Sequence, residues 1–279
     1  MKLHLNKIYS SLFLLALTGS TFANHHAATT SNNLVLPGKF YAGVFGGGGA
    51  SDQTQISQFG TAFYAPRVGG PLAVNAFGHT NNPSIWLAGA QVGYQARELS
   101  LASDWQWTLT PAAELEGYYV GKKTFSGNLT NNTSRLPEHD FVVTYPMKTG
   151  VFLANAVLNL NIPCWLFHPY LGVGFGGAIV KISDADASQV APAEPGVNHY
   201  NANTTDTSPT VATQVKAGVS YDINECVSLF AEYRWLYLSN THFAFGSTVY
   251  PTHVATSNWQ VKFGSQNYNM GTVGVRLNL

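Results

Sequence analysis

The sequence predicts an all-β fold: an eight-stranded antiparallel up-and-down transmembrane β-barrel, preceded by an export signal. Three observations predict it. Charged residues make up only 10% of the 279-residue chain, against 45% hydrophobic and 13% aromatic, well below the roughly 25% charge of water-facing domains. Apolar and polar residues alternate with period two through many segments, which puts successive side chains on opposite faces of a strand. Long polar connections and tight turns alternate between these segments, so that long loops gather on one rim and short turns on the other.

The N-terminus comes first. Lys2 and Lys7 form a basic region, Ile8 to Leu17 an apolar core, and Thr21-Phe22-Ala23 a small-residue cleavage site. Residues 1–23 therefore read as a secretory signal with Asn24 as the mature start. The apolar run is shorter than the roughly 20 residues a spanning helix needs. Later apolar stretches are broken every few residues, so insertion in a membrane has to use strands. A polar leader fills residues 24–38, and the barrel domain is expected over 39–279.

Eight strands are expected near residues 39–49, 85–97, 105–120, 148–160, 168–182, 210–222, 226–239 and 267–279. Long connections are expected at 50–84, 121–147, 183–209 and 240–266, and tight turns at 98–104, 161–167 and 223–225. The second strand sets Trp86, Ala88, Ala90, Val92 and Tyr94 against Gly89, Gln91, Gly93, Gln95 and Arg97. The third sets Trp105, Trp107, Leu115 and Tyr119 against Thr110, Glu114, Glu116 and Tyr118. In the fourth, Phe152, Ala154, Ala156 and Leu158 oppose Asn155 and Asn159. The sixth sets Val215, Val219 and Tyr221 against Gln214, Lys216 and Ser220, and the last sets Val273, Val275 and Leu277 against Thr272 and Arg276. The first and fifth strands mix glycine with bulk, and inward glycine makes room for long neighbours in a narrow barrel.

The seventh strand, VSLFAEYRWLYLSN, carries Val227, Leu229, Ala231, Tyr233, Trp235 and Tyr237 on one face and Ser228, Phe230, Glu232, Arg234 and Leu236 on the other. With the greasy face in lipid, Glu232 and Arg234 enter the lumen with Arg97, Glu114, Glu116, Lys216 and Arg276, where opposite charges can pair. Eight strands leave an interior that side chains just fill. A plug of paired charges is the expected state, and a narrow pore for small solutes is the alternative. Trp86, Tyr94, Trp105, Trp107, Tyr119, Tyr221, Trp235 and Tyr237 lie near strand ends, where such rings form interfacial girdles.

Cys164 and Cys226 fall in adjacent tight turns on one rim, and an exported chain meets an oxidising compartment. A disulfide between them is therefore expected, with two free buried thiols as the alternative. With 14 basic and 14 acidic residues there is no electrostatic footprint for nucleic acid. The glycine run 46–49 lacks the Lys-Ser or Lys-Thr of a phosphate loop. Neither a metal ligand set nor a cofactor site is expected: His25-His26 falls in the leader, and Asp184 and Asp186 in a solvated loop. The sites Asn128, Asn131 and Asn132 are loop composition.

The glycine-aromatic first strand KFYAGVFGGGG, the eight segments and the final strand MGTVGVRLNL resemble the eight-stranded outer-membrane proteins of the opacity-protein and OmpA-like barrel type. That resemblance implies a bacterial outer-membrane location, contact with membrane lipid and lipopolysaccharide, and a structural, surface-antigen or adhesive role through the long loops, without cofactor. Such barrels usually end on an aromatic residue, whereas this sequence ends on Leu279. A second stretch, YLSNTHF, is similar to the His-x-Ser-Asn signature of outer-membrane lipid A deacylases, but Tyr237 stands where the histidine belongs and His242 follows on the wrong side. Tyrosine, with a pKa near 10, is a poor base at neutral pH, so a non-enzyme is expected. Within loop 50–84, Phe59, Phe63, Tyr64, Phe77 and His79 supply candidate adhesive contacts.

Overall fold

The computed structural model describes residues 38–102, 105–131, 139–163 and 165–279. The expected signal, nearly all of the leader, Asn132 and Cys164 lie outside the described residues. In chain order the strands are β1 (Lys39–Ser51), β2 (Gln55–Ala62), β3 (Leu72–Thr80), β4 (Ser84–Gln95), β5 (Leu99–Ala102), β6 (Trp105–Asn131), β7 (Asp140–Asn161), β8 (Phe167–Ile182), β9 (Asp186–Ala191), β10 (Asp206–Asp222), β11 (Val227–Leu238), β12 (Thr241–Phe245), β13 (Trp259–Phe263) and β14 (Gln266–Asn278).

Eight of them close a ring in sequence order, β1, β4, β6, β7, β8, β10, β11 and β14, each antiparallel to the next. β14 pairs back on β1 from Tyr41 opposite Asn278 to Ser51 opposite Tyr268. Closure leaves this ring without an unpaired edge, the condition under which strands can cross a bilayer. The fold is an all-β, eight-stranded up-and-down barrel.

Period-two alternation accounts for both faces of the wall. On β11, Ser228, Phe230, Glu232, Arg234 and Leu236 are buried and Leu229 and Tyr233 are exposed. On β7, Val151, Leu153, Asn155 and Val157 point in, and Phe152 and Leu158 point out. Phe152, Leu115, Val92, Val173 and Val273 are each at least half exposed. In water such a belt would be a large unfavourable patch; in hydrocarbon it is the required coat. Glycine serves the inside of the wall at Gly218, where a Cβ would lie 2.7 Å from both Glu232 Cβ and the Tyr170 ring.

The long connections differ from the expected polar loops. After breaks of two or three residues, β1 continues as β2, β3 leads into β4, β11 continues as β12 and β13 leads into β14. β2 pairs with β3, and β13 with β2 and β12, repeating the neighbour order of the strands below. The span 121–147, expected as a loop, is largely strand, because β6 and β7 run to 27 and 22 residues. A membrane strand needs about 9–11, so both rise well beyond the bilayer. Their upper ends pair with β3 and β9. β12 meets the top of β10 through side chains: the His242 amide donates to Ser208 Oγ at 3.1 Å and the Ala244 amide to Asp206 Oδ2 at 2.6 Å.

This outer tier has its own core. Phe125, Phe141, Tyr145, Tyr200, Phe243, Phe245, Trp259 and Phe263 are buried. Tyr200 stacks on Phe245 at 4.7 Å, and Tyr145 meets Phe263 edge-on at 5.1 Å. The two buried tyrosine hydroxyls are satisfied: Tyr145 and Tyr200 lie 2.8 Å apart, and Tyr200 donates to Gln58 Oε1 at 2.6 Å. Rings this large bury the most apolar area per residue, which lets short strands hold a tier outside the membrane.

Candidate functional site

The inside of the membrane-level tier is built from ions. Positions 114 and 116 share the inward face of β6, 214 and 216 that of β10, and 232 and 234 that of β11, so each strand sends two polar groups to one layer. Lys216 Nζ pairs with Glu114 Oε1, and lies 3.3 Å from Glu116 Oε2 and 4.0 Å from Glu232 Oε2. Arg234 reaches both ways: Nη1 lies 2.7 Å from Glu116 Oε1, and Nε donates to Glu232 Oε1 at 2.7 Å.

The remaining carboxylate valence is met by neutral donors. Tyr41 donates to Glu114 Oε2 at 2.9 Å and Tyr170 to Glu232 Oε2 at 2.9 Å. Asn155 donates to Glu114 Oε1 at 3.0 Å, Gln214 to Glu116 Oε1 at 3.0 Å and Thr272 to Glu232 Oε1 at 3.2 Å. All six carboxylate oxygens therefore have a partner, which is the condition for tolerating charges away from bulk water. The guanidinium of Arg234 also stacks on Phe45, 3.9 Å from the ring centroid.

Arg276 sits nearer the short-turn end, 4.4 Å from the Tyr41 ring centroid, and so joins the layer through Tyr41. With it, three carboxylates face three cations. Arg97 is different: it is exposed in the segment after β4, on the rim of a cavity of about 910 Å³ that opens at the short-turn end and reaches inward to Ser228 and Arg276. Arg97 lies beyond the last inward layer of β4, because that strand ends at Gln95.

Apart from Trp105, the aromatic residues named from the sequence take outward positions near both ends of the wall. Trp86 and Tyr119 pair edge-on at 5.6 Å near the outer tier, on the same level as Trp235 and Tyr237, which lie 6.3 Å apart. Tyr94 packs on Phe40 at 5.0 Å and Tyr221 on Phe167 at 5.2 Å towards the short turns, and Trp107 is exposed there. Trp105 begins β6, and its side chain lies outside the described set. Just above the outer aromatics, Lys148 stands directly opposite Lys181, and Lys122 lies on the neighbouring strand within about one rung; all three are exposed.

Cys226 is exposed and forms no disulfide among the described residues; its expected partner Cys164 lies outside them. His242 is exposed on β12, turned away from the interior that Thr241 and Phe243 face. In loop 50–84, Phe59 and Phe77 pack edge-on at 5.7 Å, His79 is exposed, and Phe63 and Tyr64 are exposed at the far end of the β2–β3 hairpin. The sequence reading missed the outer tier, although its signal was present: Trp259, Val261 and Phe263 alternate with Gln260 and Lys262, and Phe243 and Phe245 are spaced two apart around the small Ala244, as on a strand with one buried face.

A family profile described as "Surface antigen" matches residues 141–279, and a search of curated proteins gives no match. Among solved structures, the chain is similar to Neisserial surface protein A, at 15% identity, covering 85% of this chain and 96% of that one with a TM-score of 0.33. It is also similar to OprG of Pseudomonas aeruginosa, at 11% identity, 84% and 95% coverage and a TM-score of 0.37. A third is the protease OmpT of Escherichia coli, at 9% identity, 85% and 97% coverage and a TM-score of 0.37. The closed ring, its apolar coat and the surface-antigen match make this chain a bacterial outer-membrane barrel protein.

Proposed function

We propose that this surface-exposed outer-membrane barrel is a closed, non-enzymatic recognition protein: its lumen is plugged, and its outer tier presents contacts to host or other surface ligands. The observation that supports the reading is two stacked layers of buried side chains inside the barrel. The ion layer fills the membrane-level tier, and the buried rings of the outer tier lie above it, so no solute path is favoured. A stiff outer tier suits recognition, because binding then orders little chain. Phe63, Tyr64 and Val68 lie exposed between β2 and β3, where the Phe63 amide is held by Ala255 O at 2.8 Å. Large rings held in place at a distal tip are what an adhesive contact uses.

Lipid is the second partner. Lys122, Lys148 and Lys181 stand where the outer leaflet's phosphates would lie, and anionic headgroups attract such lysines by about 1 kcal/mol each. Lipopolysaccharide supplies that chemistry.

Adhesion of cells carrying the wild-type protein is compared with that of cells carrying Phe63→Ser/Tyr64→Ser/Val68→Ser at equal surface abundance. Adhesion should fall with the variant, and unchanged adhesion removes the recognition reading. Steady single-channel currents in planar bilayers would remove the closed lumen in favour of a narrow pore.

A further inference from the structure

The outer tier contains a cluster that neither the ion layer nor the distal tip uses. Glu194 and His199 follow β9, and His253 lies between β12 and β13. Glu194 Oε2 is 3.4 Å from His199 Nε2 and 3.2 Å from His253 Nε2, and the three atoms lie within 4.8 Å of one another.

The other ring nitrogens decide what those atoms offer. His199 Nδ1 lies 2.9 Å from Ala187 O, and His253 Nδ1 lies 2.6 Å from Val254 O. A carbonyl only accepts, so each Nδ1 carries a proton, and in the neutral ring each Nε2 presents a lone pair. Glu194 Oε2 is itself buried and without a hydrogen-bond donor. Three electron-rich atoms thus converge on one point, and they repel unless positive charge sits among them. Either both imidazoles take a second proton or one cation serves all three. His199 is only 2% exposed, which disfavours an imidazolium there.

The spacing suits the cation. A tetrahedral centre with ligand bonds of about 2.0–2.1 Å has ligand-to-ligand edges of about 3.3 Å, which the two Glu194 contacts match. The carbonyl-anchored Nδ1 atoms are the outer-shell partners that orient metal-bound histidines. The three side chains line a cavity of about 20 Å³, enough for one ion. His139 lines the same cavity, and its Nδ1 is buried without a partner.

We propose that Glu194, His199 and His253 bind one divalent transition-metal ion, with zinc the fit to a nitrogen-rich set, His139 flanking the fourth position. The ion ties the segment after β9 to the segment between β12 and β13, so it braces the outer tier.

The test uses the mature full-length protein folded in detergent, stripped with chelator and dialysed against Zn²⁺, with bound metal measured by elemental analysis and Co²⁺ substitution followed by visible absorption. Wild type and His25→Ala/His26→Ala should each retain one equivalent and give the intense absorption of tetrahedral cobalt. Glu194→Gln and His253→Gln should weaken binding by roughly tenfold or more. A heat-modifiable, folded wild type that retains no metal overturns the proposal in favour of protonated imidazoles, as does undiminished binding by His199→Gln/His253→Gln. Should that double variant fail to fold, His253→Gln alone decides, since His253 sits at the more open side of the cluster. Neither result bears on adhesion through Phe63 and Tyr64.

Discussion

Arg234 Nη1 lies 2.7 Å from Glu116 Oε1, joining β11 to β6 across the lumen although these strands are not neighbours in the ring. The same guanidinium is bonded to Glu232 on its own strand, so one side chain links opposite walls of the barrel.

Removing one side of this linkage strands the other. Glu116→Ala leaves Arg234 and Lys216 short of a carboxylate in a site closed to bulk water, and breaking such a buried pair costs about 3–5 kcal/mol. Urea unfolding in detergent, followed by heat-modifiable migration, should show that loss. Replacing Glu116 with Gln and Arg234 with Met together should cost less than Glu116→Ala and Arg234→Met added together, since the carboxylates of Glu114 and Glu232 then still face the two cations Lys216 and Arg276.

Glycine at position 218 is required by its surroundings. Gly218→Leu places carbon against Glu232 and the Tyr170 ring, so it should lower the folded fraction in refolding assays, whereas Val219→Leu, on the exposed outer face, should leave it unchanged.

In the metal-free protein, acid should loosen the outer tier. Burial holds the His199 ring below its ordinary value of about 6.5, against the raising influence of the Ala187 carbonyl and Glu194. An unfolded His199 therefore takes up its proton at a higher pH than the folded one. Below about pH 6.5 the unfolded state binds more protons, so stability falls as pH drops until the folded value is passed, and is level above 6.5. Glu194 and His253 face the ring, and Trp259 lies 5.8 Å from it. Trp259 fluorescence should report the loosening, and His199→Gln should reduce it, leaving the share contributed by His139, whose ring burial also holds below its ordinary value.

The lysines above the aromatic belt should read lipid charge. Lys122→Gln/Lys148→Gln/Lys181→Gln is expected to lose the thermal stabilisation that lipopolysaccharide gives the wild type, and to match it in zwitterionic detergent. Equal stabilisation of both proteins by lipopolysaccharide would contradict the phosphate contact.

Strand identity and facing in the membrane-level tier were legible from the chain alone. Alternation is a local property: each residue's neighbours two positions away reveal its face, so Glu114, Glu116, Lys216, Glu232 and Arg234 could be assigned to the inside before any pairing was known. Arg97 was placed with them by the same parity, but parity carries no information about where β4 ends.

The outer tier shows the opposite case. THFAF and WQVKF alternate cleanly, yet they are short and embedded in polar sequence, and a two-stranded hairpin alone is marginal in water. They are strands because β2, β3 and the tops of β6 and β7 complete a wall around shared aromatic rings. Residues 139, 194, 199 and 253 likewise meet only through that wall.

The amino-acid order by itself determined which side chains face lipid and which face the lumen, because both follow from backbone periodicity. Only the tertiary structure decided which ions pair, how far the wall rises and where Glu194 meets two histidines. Those are contacts between distant segments, and their register is set by ring closure.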